Sequence, residues 1–141
     1  MSLMTAIEVG ASGLTAQRRR LEVHIGNLVN AQTTTPAGTE PYRRKEVVFA
    51  ATAPQASFGA ALDDAVQGVE ISDVITDQSD GERRYEPGHK HADENGYVLY
   101  PNIKPMDEMF NVMSATRSYE ANLQAVNMAK DMQLKTLEIL K

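Results

Sequence analysis

Cysteine and tryptophan are both absent from these 141 residues, and aromatic side chains make up only 6%. Without cysteine there is no disulfide scaffold and no thiolate site for zinc or an iron–sulfur cluster. Positive charge is also scarce: 14 Lys and Arg stand against 19 Asp and Glu, a net charge of −5. That sign speaks against nucleic acid as a partner, because neutralising phosphates takes a basic surface. No apolar run approaches the length of a membrane span. A secretory signal is not expected either, since Glu8 interrupts the first apolar stretch and Arg18-Arg19-Arg20 follow it rather than precede it. The length argues for one domain at most.

The charges are unevenly spread. Residues 51 to 105 hold four basic and ten acidic side chains, whereas residues 1 to 50 hold six and four and residues 106 to 141 hold four and five. Ends that are nearly balanced and a middle that is acidic suit a chain whose ends pack on something while the middle meets solvent.

At the amino-terminal end, Leu3, Ile7, Gly10, Leu14, Gln17, Leu21, His24 and Leu28 recur at alternating steps of four and three, the spacing of a helical seam. Three threonines before Pro36, then Gly38, end that helix near Ala31. Gly10, Gly13 and Gly26 weaken it by about 1 kcal/mol each relative to alanine, so it needs a partner. Ala6, Gly10 and Gly13 lie near one face, where another backbone can come close. At the other end, Pro105 suits a first helical turn and Asp107 and Glu108 complement its positive dipole. A second seam follows through Met109, Val112, Thr116, Tyr119, Leu123, Val126, Lys130, Gln133, Leu137 and Leu140. Polar residues at Gln17, His24, Thr116, Lys130 and Gln133 sit where apolar ones would be more stable, and such residues set register and partner number.

Between the helices, strands are predicted over 42–49, 68–75 and 96–100, with turn formers from Glu86 to Asn95 leading into a hairpin. The fold expected is mainly α with a small β insert: long terminal helices in a coiled-coil-like layer and a short strand and hairpin unit between them. The segments are an axial helix over 1–35, a β-rich middle over 36–105 with a flexible excursion at 50–67, and an axial helix over 106–141. So small a middle cannot cover both helices, which points to burial in a multi-subunit helical assembly.

Catalytic and metal-binding signals are weak. His89, His91 and Asp93 form an H-x-H-x-D string, but on a loop punctuated by Pro87 and Gly88, where an ordered structural loop is the simpler reading. Asp93-Glu94-Asn95-Gly96 lacks the alternating acidic spacing of a calcium loop. The pairs Asp63-Asp64 and Asp93-Glu94 are adjacent in sequence, with no nucleophile motif beside them. No enzymatic activity, cofactor, metal or small-molecule substrate is therefore expected. Arg18-Arg19-Arg20 and Arg43-Arg44-Lys45 read as solvated faces with ionic contacts to acidic inserts of neighbouring subunits. A soluble helical adaptor and a loop-based metal-dependent hydrolase are the rival classes.

Three blocks carry a family resemblance. Ala11-Ser12-Gly13-Leu14, Gln17 and Asn27-Leu28-Val29-Asn30-Ala31-Gln32-Thr33 resemble the amino-terminal signature of bacterial flagellar axial proteins, the rod, hook and hook-associated subunits. Arg117-Ser118-Tyr119-Glu120-Ala121-Asn122 resembles that family's carboxyl-terminal helix motif. The internal blocks Pro41-Tyr42-Arg43-Arg44-Lys45, Tyr85 to His89 and Asp93 to Val98 resemble those of a short rod subunit from the proximal end. The resemblance implies a structural subunit of the rod, the drive shaft crossing the periplasm between membrane ring and hook, which transmits torque for motility. It implies export by the flagellar export apparatus without a cleaved signal peptide. The partners it implies are other copies of the chain, proximal and distal rod proteins and a rod-base junction protein. Assembly contacts are expected from Leu14, Leu21, Asn27, Leu28 and Asn30 on the first helix and from Tyr119, Asn122, Leu123 and Val126 on the second.

Overall fold

The computed structural model describes residues 3–52 and 67–139. Helices α1 (Leu3–Asn30) and α2 (Pro105–Ile139) enclose strands β1 (Lys45–Ala51), β2 (Val69–Thr76), β3 (Glu82–Tyr85) and β4 (Tyr97–Tyr100) in chain order. α1 stops just before the threonine run and Pro36, as the breaker signals require. α2 opens on Pro105 with Asp107 and Glu108 in its first turn, and no glycine or further proline interrupts it.

The strands form two separate two-stranded sheets. β1 runs antiparallel to β2 from Lys45 opposite Thr76 to Ala51 opposite Val69, with a bulge between Val48 and Phe49. β3 and β4 pair antiparallel, Glu82 opposite Tyr100 and Tyr85 opposite Tyr97. The first strand thus begins three residues later than the sequence pattern predicts, because Tyr42 and Arg44 turn their side chains toward the helices. β3 has no counterpart in the expected strands: Glu82-Arg83-Arg84-Tyr85 is exposed throughout and so shows no alternation. Gly96, at φ +80°, takes the left-handed turn into β4 that a side chain would disfavour. The expected excursion at 50–67 lies, apart from its ends, outside the described residues, and Asp63-Asp64 with it.

A two-stranded sheet is marginal alone, so each must lean on something. The β1–β2 pair leans on α1, where Val69 N–H donates to Ser12 Oγ at 3.1 Å. The helices themselves run antiparallel, Gly10 beside Val126 and Asn27 beside Glu108. Between them the buried apolar residues are small: Ala16, Val23, Ala115 and Ala129. Of the largest fully buried side chains, Glu108, Val98 and Asn27, two are polar.

The face that α2 turns inward carries Glu108, Val112, Ala115, Tyr119, Asn122, Val126 and Ala129, all buried or half-buried. Their steps alternate four and three, as the sequence seam does, but every second position lies one residue earlier. Met109 and Leu123, expected inside, are 47% and 42% exposed. The helix is therefore turned by about 50° from the predicted seam, at 100° per residue on alternate positions. On α1 the leucines of the predicted seam are half-buried, while Ala16, Val23 and Asn27 point fully inward. Lys130 and Gln133 are exposed, which removes them from the polar seam.

Candidate functional site

One end of the helix pair is closed by a buried polar node. His24 and Asn27 are three residues apart on α1, so both face α2. There Glu108, 1% exposed, takes three hydrogen bonds. His24 Nδ1–H donates to Oε2 at 2.6 Å. Asn27 Nδ2 donates to the same oxygen at 3.1 Å, and Arg44 Nε donates to Oε1 at 2.6 Å. Burial alone would push the Glu108 carboxyl up, but the bonds from Arg44, His24 and Asn27 outweigh it and hold the group below its usual range. The same carboxylate, after burial, keeps the Tyr42 hydroxyl above the usual tyrosine value.

Asn27 is fully buried and uses its whole amide. Its Nδ2 also donates to Lys45 O at 2.7 Å, and its Oδ1 accepts from Lys45 N–H at 3.0 Å and from Tyr42 OH at 3.1 Å. The side chain thus pairs both backbone groups of the first residue of β1, as a peptide of a neighbouring strand would. Through Asn27 and Glu108 the node ties α1, α2 and the start of β1 into one joint.

Farther along, the helices touch through missing side chains. A Cβ at Gly10 would run into Val126 Cγ2, and one at Gly13 would lie 2.8 Å from Asn122 Nδ2. The small-residue face expected on α1 does admit its partner closely. On the far side of α2, Met106, Phe110, Met113 and Met128 are 63%, 61%, 48% and 61% exposed. At 3.6 residues per turn these four share the face opposite Glu108, Ala115 and Asn122. α2 thus carries large apolar side chains on its outer side as well as on its inward one, and among the described residues only the inward side is covered.

A flagellar basal-body rod protein FlgC from Escherichia coli O6:H1 is 44% identical over 139 residues, covering 99% of this chain and 98% of that one. FlgC of Bacillus subtilis is 40% identical over 152 residues, with both chains covered in full. FlgC of Borreliella burgdorferi is 34% identical over 151 residues, covering 100% and 99%. The chain belongs to the FlgC family of flagellar basal-body rod proteins. Its residues 94–139 also match the family described as flagellar basal body rod FlgEFG protein, C-terminal. As a FlgC family member it is a structural subunit of the basal-body rod, which assembles with other rod subunits.

The nine residues expected at assembly contacts occupy different settings in this family member. Asn27 belongs to the node, and Asn122 and Val126 meet the glycines of α1. Asn30 turns back on its own helix, donating to Gly26 O at 2.8 Å. Leu14, Leu21 and Leu28 are half-buried on α1, Tyr119 is half-buried on the inward face of α2, and Leu123 is exposed. Sequence reasoning did not single out Glu108 as a buried anchor, nor Arg44 as its partner. The sequence pattern puts Arg44 in a solvated basic run, whereas in the fold it reaches Glu108, 64 residues away. The legible signal was the i, i+3 placement of His24 and Asn27, two polar groups that needed something to meet.

The H-x-H-x-D string builds a loop. His91 N–H donates to His89 Nδ1 at 3.1 Å, and His91 Nδ1 hydrogen-bonds the Thr34 hydroxyl at 2.9 Å. Asp93 Oδ1 accepts from Asn95 N–H and Tyr97 N–H, both at 2.8 Å. Among the described residues no three His, Asp or Glu side chains gather as metal ligands. No described helix is long and apolar enough to cross a membrane.

Proposed function

We propose that the subunit builds the rod through α1 and α2, which pack in a coiled-coil-like layer with the same helices of neighbouring subunits, while the strands form an outer support. In this reading 1–35 and 106–141 are the axial segments and 36–105 the β-rich middle. The role is mechanical, without catalysis: many small, close contacts resist twist and pass torque along the shaft. The carrying observation is the set of exposed apolar side chains Met106, Phe110, Met113 and Met128 on the side of α2 opposite its buried stripe, since a helix with large apolar side chains on both sides suits a place between two layers. Leu14, Leu21, Leu28, Tyr119 and Leu123 supply contacts between subunits, whereas Asn27, Asn30, Asn122 and Val126 keep the pair in shape for them.

The neighbours in this reading are other copies, proximal and distal rod proteins and a rod-base junction protein. The flagellar export apparatus delivers the chain to the periplasmic part of the rod without cleaving a signal, which the mass of the subunit in purified basal bodies tests. Leu123→Glu tests the helix contacts directly. On assembly, burying this leucine contributes about 1.5–3 kcal/mol, and a glutamate there becomes an unpaired buried charge. The variant should melt like the parent as a purified subunit yet leave few completed hooks in electron micrographs of cells. Normal hook numbers would refute the helix-layer reading. A parent chain that stays a folded dimer and never enters basal bodies would favour the adaptor class instead.

A further inference from the structure

The exposed side of α1 is as regular as its buried one. Ala11, Thr15, Arg18, Glu22, Ile25 and Val29 follow one another at steps of four and three, all exposed and all on the side away from α2. On the open side of α2, Phe110, Met113, Arg117, Glu120, Gln124 and Met128 follow at steps of three and four. Both stripes carry apolar residues at their ends and charged ones in the middle.

We infer that the outer stripe of α1 in one copy docks antiparallel on the open stripe of α2 in a second copy, with Ile25 against Met113 and Arg18 against Glu120. The inference rests on the rod reading and adds to it the partner and the register. With those two pairs set, Val29 falls on Phe110 and Ala11 on Met128, so apolar residues meet at both ends. Glu22 falls on Arg117 and Thr15 on Gln124 between them. Glu22 is held now by exposed contacts to Arg19 at 3.0 Å and Arg18 at 3.8 Å within its own helix. Such exposed pairs are weak and exchange readily for a facing partner.

Other registers do poorly. A slip of one heptad toward the start of α2 sets Glu22 on Phe110 and Arg18 on Met113. A slip the other way sets Val29 on Arg117 and Arg18 on Met128. The match ends at Glu8, which meets Asp131 beside Lys135. Methionine suits such a seam, because its flexible thioether fills irregular gaps.

The register carries a geometric consequence. Within one copy Asn27 lies beside Glu108 and Gly13 beside Asn122. The docked pairs are displaced from that alignment by between three and four residues, about one turn or 5 Å along the helix axis. The contact joins two different faces, so it repeats head to tail, and an axial step at each repeat generates a spiral rather than a flat ring.

The test uses the full chain in flagellated cells. Because the chain has no cysteine, Ile25→Cys with Met113→Cys introduces the only two thiols, on opposite outer sides of one copy and too far apart to bridge within it. Oxidised basal bodies should then yield a ladder of multimers of the chain. Ile25→Cys with Gln124→Cys, three turns out of register, should yield monomer. Arg18→Glu and Glu120→Arg should each lower the number of completed rods about tenfold, since like charges across an interface cost several kcal/mol, and the double variant should restore it. Purified singles that melt like the parent exclude misfolding as the cause. A double variant no better than the worse single, or basal bodies that contain the Ile25→Cys, Met113→Cys chain but no multimers, would overturn the inference and leave the rod reading intact. Absence of the parent chain from basal bodies would overturn both.

Discussion

The two ends of the helix pair are held by opposite means. At one end Glu108 is buried among His24, Asn27 and Arg44, a directional set in which each donor has one acceptor position. At the other, Gly10 and Gly13 admit Val126 and Asn122 by having no side chain. Shape complementarity of the second kind is non-directional and tolerates small shifts. A polar set of the first kind does not, because a slip of one residue leaves a carboxylate desolvated and unpaired. The node therefore sets the register of α1 on α2, and the glycines set how near the helices lie.

This contrast predicts unequal sensitivities. Glu108→Ala should be the most damaging: it leaves the buried His24 without its partner and Arg44 with only its exposed contact to Glu46, and breaking such a network costs about 3–5 kcal/mol. Denaturant unfolding of the purified subunit reads this, and a loss no larger than that of a glycine variant would break the comparison. The node also predicts a pH dependence. The Glu108 carboxyl is held below its ordinary 4.5 in the folded state. Its contribution is thus complete above that value and declines as pH falls through the lowered one. Glu108→Gln removes this ionisation, so its stability should change less than the parent's between pH 5 and pH 3, a window of about two units around the unfolded carboxyl value.

Gly10→Val comes next. It forces Val126 aside and should cost about 1–3 kcal/mol. Gly13→Ala sharpens the point, since the neighbour there is the swinging end of the Asn122 amide. The gain in helix propensity, up to about 1 kcal/mol, should bring that variant near neutral. His91→Ala, outside the helix pair, loses one hydrogen bond to Thr34 and should cost about 1 kcal/mol in a thermal melt, at the low end of the Gly10→Val range. A larger loss there would mean that the β3–β4 loop helps hold the end of α1.

Much of the frame was legible. The threonine run before Pro36, the Pro105 start and the close approach at Gly10 and Gly13 each have a local cause, and the structure keeps all three. The inward face of α2 was not legible to the residue. Met109, Phe110, Met113 and Leu123 are as apolar as anything they compete with, so hydrophobic spacing alone traces a seam between two faces. β3 was missed because a strand exposed on all four residues has no alternation to read.

Sequence alone determined the local matters: where helices start and stop, that turn formers lead into a hairpin after Glu86, that no thiol chemistry exists, and which family the motifs resemble. Each depends on residues within a few positions of one another or on composition. Tertiary structure decided which side of α2 is covered in the single chain, and that Glu108 draws together His24, Asn27 and Arg44. Those outcomes depend on groups up to 84 residues apart. Burying a charge becomes favourable only when every partner arrives at once, and no local pattern encodes that meeting.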